Sequence, residues 1–192
     1  MLVNENIGDD SKTLADYKDK MEERINGRIE EIDNTIAENR TKIAGTSKVS
    51  KLQELIKSNA DLTAQKSELN AAKSILAFML SKENSFNISV ITKVPSDRNF
   101  DIYGTILWGT NDKSLILSFK RSIDTLFHEM IHAYHVIKGT FNYVPFSSGS
   151  RVGFYGYGSE ISAFRLEYSF GNMDDVYNIS EVNKEYLILK GY

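Results

Sequence analysis

All three histidines of the chain fall in one eight-residue window, His128-Glu-Met-Ile-His-Ala-Tyr-His135. Its first five residues have the spacing His-Glu-x-x-His. On a helix, residues four apart lie about 40° apart around the axis, so His128 and His132 aim two imidazoles at one point. Neutral imidazole is a good ligand for Zn²⁺, and two ligands from one turn cost little ordering entropy. Glu129, beside His128, is placed to take a proton from a metal-activated water. An enzymatic zinc site also needs a third protein ligand and an open fourth position. His135 stands about 10 Å along the axis from His128, too far to share an ion with ligand bonds near 2 Å. It is expected behind the ligands, or lining the cleft. Glu160 is the better third ligand, with 27 residues intervening after His132. Glu167 is the runner-up, and about two turns further along it would instead pair with Arg165 or orient a ligand. Between ligands two and three, Tyr155 or Tyr157 is expected either to donate a hydrogen bond to an oxyanion or to pack in a surface loop.

The elements that must position these groups are legible as patterns. A helix is expected from about Ser122 to Lys138, ended by Gly139. Wheeled at helical pitch, Leu126, Phe127, Met130, Ile131, Ala133, Tyr134 and Ile137 form one apolar arc, and the three His and Glu129 fill the remaining sector. A second helical stretch begins near Ser159 and carries Glu160 and Glu167. Before the site helix, Tyr103–Trp108 and Ser114–Phe119 read as two strands of a β-hairpin around turn residues Gly109–Lys113, with an earlier strand at Phe86–Thr92. The bland alternative for the histidines is a pair hydrogen-bonded in the core.

The first half differs in kind. Ile25, Ile29, Ile32, Ile36 and Ile43 make a seam of helical period, extended less regularly by Leu14, Tyr17 and Met21. Ala44–Ser50 breaks it. A second seam then runs through Leu52, Leu55, Leu62, Leu69, Leu76 and Met79, so the two runs make an antiparallel helical hairpin. Asn39, Asn59 and Lys66 fall on the seams and weaken it as a free-standing unit. One face is therefore expected to pack on the second half, with the free end either recognising a target or serving as scaffold. The fold class that follows is α+β. An N-terminal helical hairpin (residues 1–83) precedes a small catalytic domain (84–192) with a short antiparallel sheet and the site helix.

Composition sets limits on function. The chain has 192 residues, 41% hydrophobic and 26% charged, with a net charge of −3. Basic and acidic residues are spread evenly, so neither the basic block of a nucleic-acid binder nor a polybasic membrane patch is present. No run is long and apolar enough for a membrane span, and the first residues lack the pattern of a Sec-type signal peptide. Zero Cys excludes disulfides, thiolate zinc sites and cysteine nucleophiles. Nothing in the pattern specifies an oligomeric state.

Residues 104–167 resemble the secreted bacterial effector metallopeptidases typified by NleD, a zincin family with gluzincin-type ligation. The matching pieces are Ser114–Ser118, then His128–His135, then Arg151-Val-Gly153 and Glu160-Ile-Ser-Ala-Phe-Arg-Leu-Glu167. Ile161 stands where the family usually has Asn, no Arg follows Arg165, and the hairpin lies outside the match. The resemblance implies a zincin-like domain and a zinc endopeptidase that reaches the host cytoplasm without a Sec-type signal and cuts a host protein. It assigns His128, His132 and Glu160 as ligands, Glu129 as catalytic base and Arg165 as a residue behind the ligands. Two other readings use the same residues: an interaction module with a structural zinc site, and a zinc hydrolase of a non-peptide amide.

Overall fold

The computed structural model describes residues 12–92, 104–109, 114–119, 122–140, 142–145, 151–154 and 156–191. Among the described residues there are five α-helices, α1 (Lys18–Ala44), α2 (Val49–Phe86), α3 (Ile123–Lys138), α4 (Tyr157–Phe170) and α5 (Lys184–Leu189), and two small sheets. The strands are β1 (Lys12–Thr13), β2 (Ile88–Ile91), β3 (Gly104–Gly109), β4 (Ser114–Phe119), β5 (Asn142–Pro145) and β6 (Arg151–Phe154). The α+β class and the antiparallel helical hairpin of α1 and α2 are as expected.

The hairpin is built as its seams dictate, with two differences. Helix α1 starts at Lys18 rather than near Leu14, because Lys12–Thr13 pairs with β2 and Ala15–Tyr17 forms a 3₁₀ turn. At the other end α2 runs past Glu83 to Phe86 and stops at Asn87, whose φ of 40° is the left-handed conformation that Asn tolerates. Glu83 caps the chain entry instead of breaking the helix: its Oε1 accepts the backbone N–H of Leu14 at 2.7 Å. The polar seam residues find one another. Asn39 Nδ2 donates to Asn59 Oδ1 at 2.9 Å, and Lys66 Nζ reaches both carboxylate oxygens of Asp33 at 2.6 Å.

The four-stranded sheet has the order β1-β2-β4-β3 and is mixed, not antiparallel throughout. The β3–β4 hairpin is antiparallel as expected, but β4 inserts between β3 and β2 and runs parallel to β2. A strand flanked on both sides and covered by helix buries both faces. In β4, Leu115, Leu117 and Ser118 are all inaccessible to solvent. The Gly-, Ser- and aromatic-rich stretch after α3 holds a second hairpin, β5–β6.

One hydrophobic cluster joins the helical hairpin to the rest of the chain. Leu14, Met21, Ile25, Ile32, Leu69, Ala72, Leu76 and Met79 belong to the same core as Leu115, Leu117, Leu126, Phe127, Met130 and Leu166. Polar clamps reinforce the join. Arg24 grips Asp124 with two hydrogen bonds of 2.9 and 3.0 Å and donates a third to the Phe170 carbonyl at 2.9 Å. Asp61 of α2 accepts from the Tyr168 hydroxyl at 2.9 Å and from the Ile179 backbone N–H at 2.8 Å. Among the described residues no helix is long and apolar enough to cross a membrane.

Candidate metal centre

Helix α3 begins where its cap residue predicts. The Ser122 side chain accepts the Thr125 backbone N–H, and the helix ends at Gly139 with φ 69°, a conformation that needs glycine. Its apolar arc is buried as the wheel requires, Leu126, Phe127, Met130 and Ala133 completely. Tyr134 packs edge-on against Phe78 of α2, with ring centroids 5.3 Å apart.

Helix α4 lies antiparallel against α3, and a ladder of contacts sets the register between them. Asp124 meets Asn172 at 2.8 Å, Phe127 packs on Phe170, His128 faces Phe164 and Glu167, and His132 faces Ser159 and Glu160. The Arg24 clamp holds the far end of this ladder by binding the start of α3 and the end of α4 together. The helical period that brings His128 and His132 onto one face thus meets a second helix carrying carboxylates at matching height.

One ligand atom from each of His128, His132 and Glu160 lies within 4.8 Å of the others, which makes a group able to hold a metal ion. Both Nε2 atoms point at the same carboxylate oxygen. Glu160 Oε2 is 3.5 Å from His128 Nε2 and 3.6 Å from His132 Nε2. These separations are long for hydrogen bonds and close to the roughly 3.4 Å between ligand atoms of a tetrahedral ion with bonds near 2.0–2.1 Å. Glu160 Oε2 is fully buried with no hydrogen-bond partner among the described residues, so the positive charge it needs comes from a protonated His128 or from a bound cation in its place. On that test the three residues fit a divalent metal.

The electrostatics set the two rings apart. Burial pushes the His132 pKa well down, reinforced by His128 and His135, so its imidazole stays neutral, the form in which it ligates. Burial acts to lower His128 too, but the carboxylates of Glu160 and Glu167 outweigh it and raise it to about 10. Glu129 is 5% exposed, and burial, helped by the Glu160 and Glu167 charges against the pull of His128, pushes its carboxyl up to about 8. A carboxylate tuned that high is suited to take and return protons near neutral pH.

Glu167, expected as runner-up ligand or as an orienting group, takes the second place: its Oε1 sits 3.0 Å from His128 Nδ1, on the opposite side of the ring from Glu160. His135 lies behind the ligands, bound to Ser159 Oγ through Nδ1 at 2.7 Å. Arg165 is directed elsewhere; its Nε donates to the Val182 carbonyl at 3.1 Å and ties α4 to the C-terminal segment. Tyr157 is the first residue of α4, 38% exposed, with the Lys184 ammonium 5.0 Å from its ring centroid. Tyr155 lies outside the described residues. No family model, curated protein or solved structure matches this chain. One site residue escapes the sequence patterns, Ser159, whose Oγ also meets His132 Nδ1 at 2.8 Å. Its only signal is its place next to Glu160 in the first turn of α4.

Proposed function

We propose that the chain is a zinc-dependent endopeptidase of the effector type, acting on a protein of a host cell. The observation that carries the catalytic part is the convergence of two imidazole Nε2 atoms on one buried carboxylate oxygen, with the buried Glu129 next in sequence to the first ligand. The effector part and the host substrate rest on the resemblance of residues 104–167 alone. His128, His132 and Glu160 would hold the ion, which when bound supplies Lewis acidity that lowers the pKa of a water and polarises a carbonyl. Glu129 accepts a proton from the attacking water at its carboxylate and returns it to the leaving amine. Glu167 places its charge beside Nδ1 of the His128 ring.

The test of this reading is cleavage-site mapping in a host-cell lysate, comparing wild type with Glu129→Gln. New protein N-termini that arise with the wild type and not with the variant are expected. A zinc-loaded wild type that generates none refutes peptidase activity on that proteome.

A pH dependence follows from His128. A ligand must present a lone pair, so zinc competes with the proton held on this ring, whose pKa lies at about 10. Below that value the ring is protonated and the competition is full. Apparent zinc affinity is therefore expected to rise about tenfold from pH 7 to pH 8. Chelator-buffered zinc titrations at the two pH values measure it, and a flat profile contradicts a proton held on His128 before the ion enters.

A further inference from the structure

Ser159 Oγ stands between two imidazoles, 2.8 Å from His132 Nδ1 and 2.7 Å from His135 Nδ1. A serine hydroxyl has one proton to donate and lone pairs to accept with. Both contacts are short enough to be hydrogen bonds, and Ser159 Oγ has no other partner among the described residues, so its proton is used only when one imidazole accepts from it while the other donates to it. The two directions of this chain are not equivalent. If Ser159 donates to His132, that ring carries its own proton on Nε2, the nitrogen that faces Glu160 Oε2 at 3.6 Å, and it has no lone pair for an ion there. If His132 donates from Nδ1, its Nε2 lone pair is free to ligate.

Resting on the metal-centre reading above, we infer that Ser159 is a positioning residue that accepts Nδ1–H of His132 and donates its own proton to Nδ1 of His135, so that metal loading fixes the tautomer of both rings. The half-buried His135 then carries its proton on Nε2. This gives the third histidine of the window a defined state even though it lies too far from His128 to ligate.

The local structure supports the assignment. Ser159 is 9% exposed, and its backbone N–H is held by the Gly156 carbonyl at 2.8 Å. The first turn of α4 thereby places an orienting hydroxyl and a ligand carboxylate on adjacent residues. Glu167 Oε1 lies 3.0 Å from His128 Nδ1 and Ser159 Oγ 2.8 Å from His132 Nδ1, so a residue of α4 stands behind each ligating ring. Groups in this position commonly change metal affinity by about 10–100-fold when removed.

The test uses the full chain, chelator-stripped and titrated with Zn²⁺ against a chromogenic chelator. Ser159→Ala is expected to weaken zinc binding by about 10–100-fold, and Ser159→Thr, which keeps the hydroxyl, to stay within a few fold of wild type. Imidazole ¹⁵N spectra of the zinc-loaded wild type read the tautomers directly, with the proton expected on Nδ1 of His132 and on Nε2 of His135. Packing alone would not dictate that pattern. Wild-type affinity in Ser159→Ala, equal losses in the Ala and Thr variants, or a proton on Nδ1 of zinc-loaded His135 each overturns the inference while leaving the metal centre standing. A wild type that takes up no zinc overturns the parent reading, and this inference with it.

Discussion

Replacing Glu129 by Gln is expected to slow peptide cleavage by about 10²–10⁴-fold while zinc binding stays within a few fold of wild type. The amide matches the carboxylate in volume, so the packed sector of α3 between the ligands and the core is undisturbed. It cannot take a proton, and that is the role assigned to Glu129. The three groups that converge as a ligand set are His128, His132 and Glu160, with Glu129 outside it. Initial rates on a substrate found by cleavage mapping, taken alongside a zinc titration of the same preparation, separate the possibilities. Loss of zinc together with activity would make Glu129 a ligand; unchanged rates would leave the reaction without its base.

A fragment starting near Glu83 is expected to be insoluble or molten, with no cooperative thermal transition. The helical hairpin contributes Met21, Ile25, Leu69, Leu76 and Met79 to the core on which α3 is seated, all essentially inaccessible to solvent. Removing several buried side chains of this size, each worth about 2–5 kcal/mol, exceeds the roughly 5–15 kcal/mol by which an ordinary domain is stable. The deletion also strips Arg24 from the buried carboxylate of Asp124, and Asp61 from Tyr168 and Ile179. Such a result would make the base of the hairpin a structural part of the second half of the chain. A soluble fragment that melts cooperatively and binds zinc would contradict this, and would revive the hairpin as a separate targeting arm. Circular dichroism and a thermal melt of the purified fragment decide between them.

The parts of the fold that could be read in advance are those governed by local period. The His-Glu-x-x-His spacing needs only the pitch of one helix to bring its imidazoles together, and the seams of α1 and α2 need only their own heptads. Glu160 was legible because two histidines alone leave a metal site short of ligands, and it is the carboxylate the structure brings to both rings. What the local pattern does not contain is pairing across the chain. The parallel contact between β2 and β4 arises because β4 enters the sheet between its hairpin partner and an earlier strand, and no residue of either strand encodes that neighbour. Two-residue β1 is too short to show a period at all. Arg165 and Ser159 illustrate the same limit at the site. Whether Arg165 backs a ligand or holds Val182 depends on where the C-terminal segment returns, and Ser159 gains its two histidine partners only from the antiparallel register of α3 and α4. Spacing in one helix predicts ligands; the residues that orient them belong to the packing of two.

The central claim is that His128, His132 and Glu160 hold one zinc ion, and a single calorimetric titration tests it. Zinc is added to the chelator-stripped full chain, wild type and His132→Ala in parallel. One ion is expected to bind per wild-type chain, with no binding of comparable affinity in the variant, because His132 supplies one of three protein ligands that are not backed up by another histidine within reach among the described residues. A wild type that binds no zinc, or a His132→Ala protein that binds it as tightly as the wild type, would contradict it.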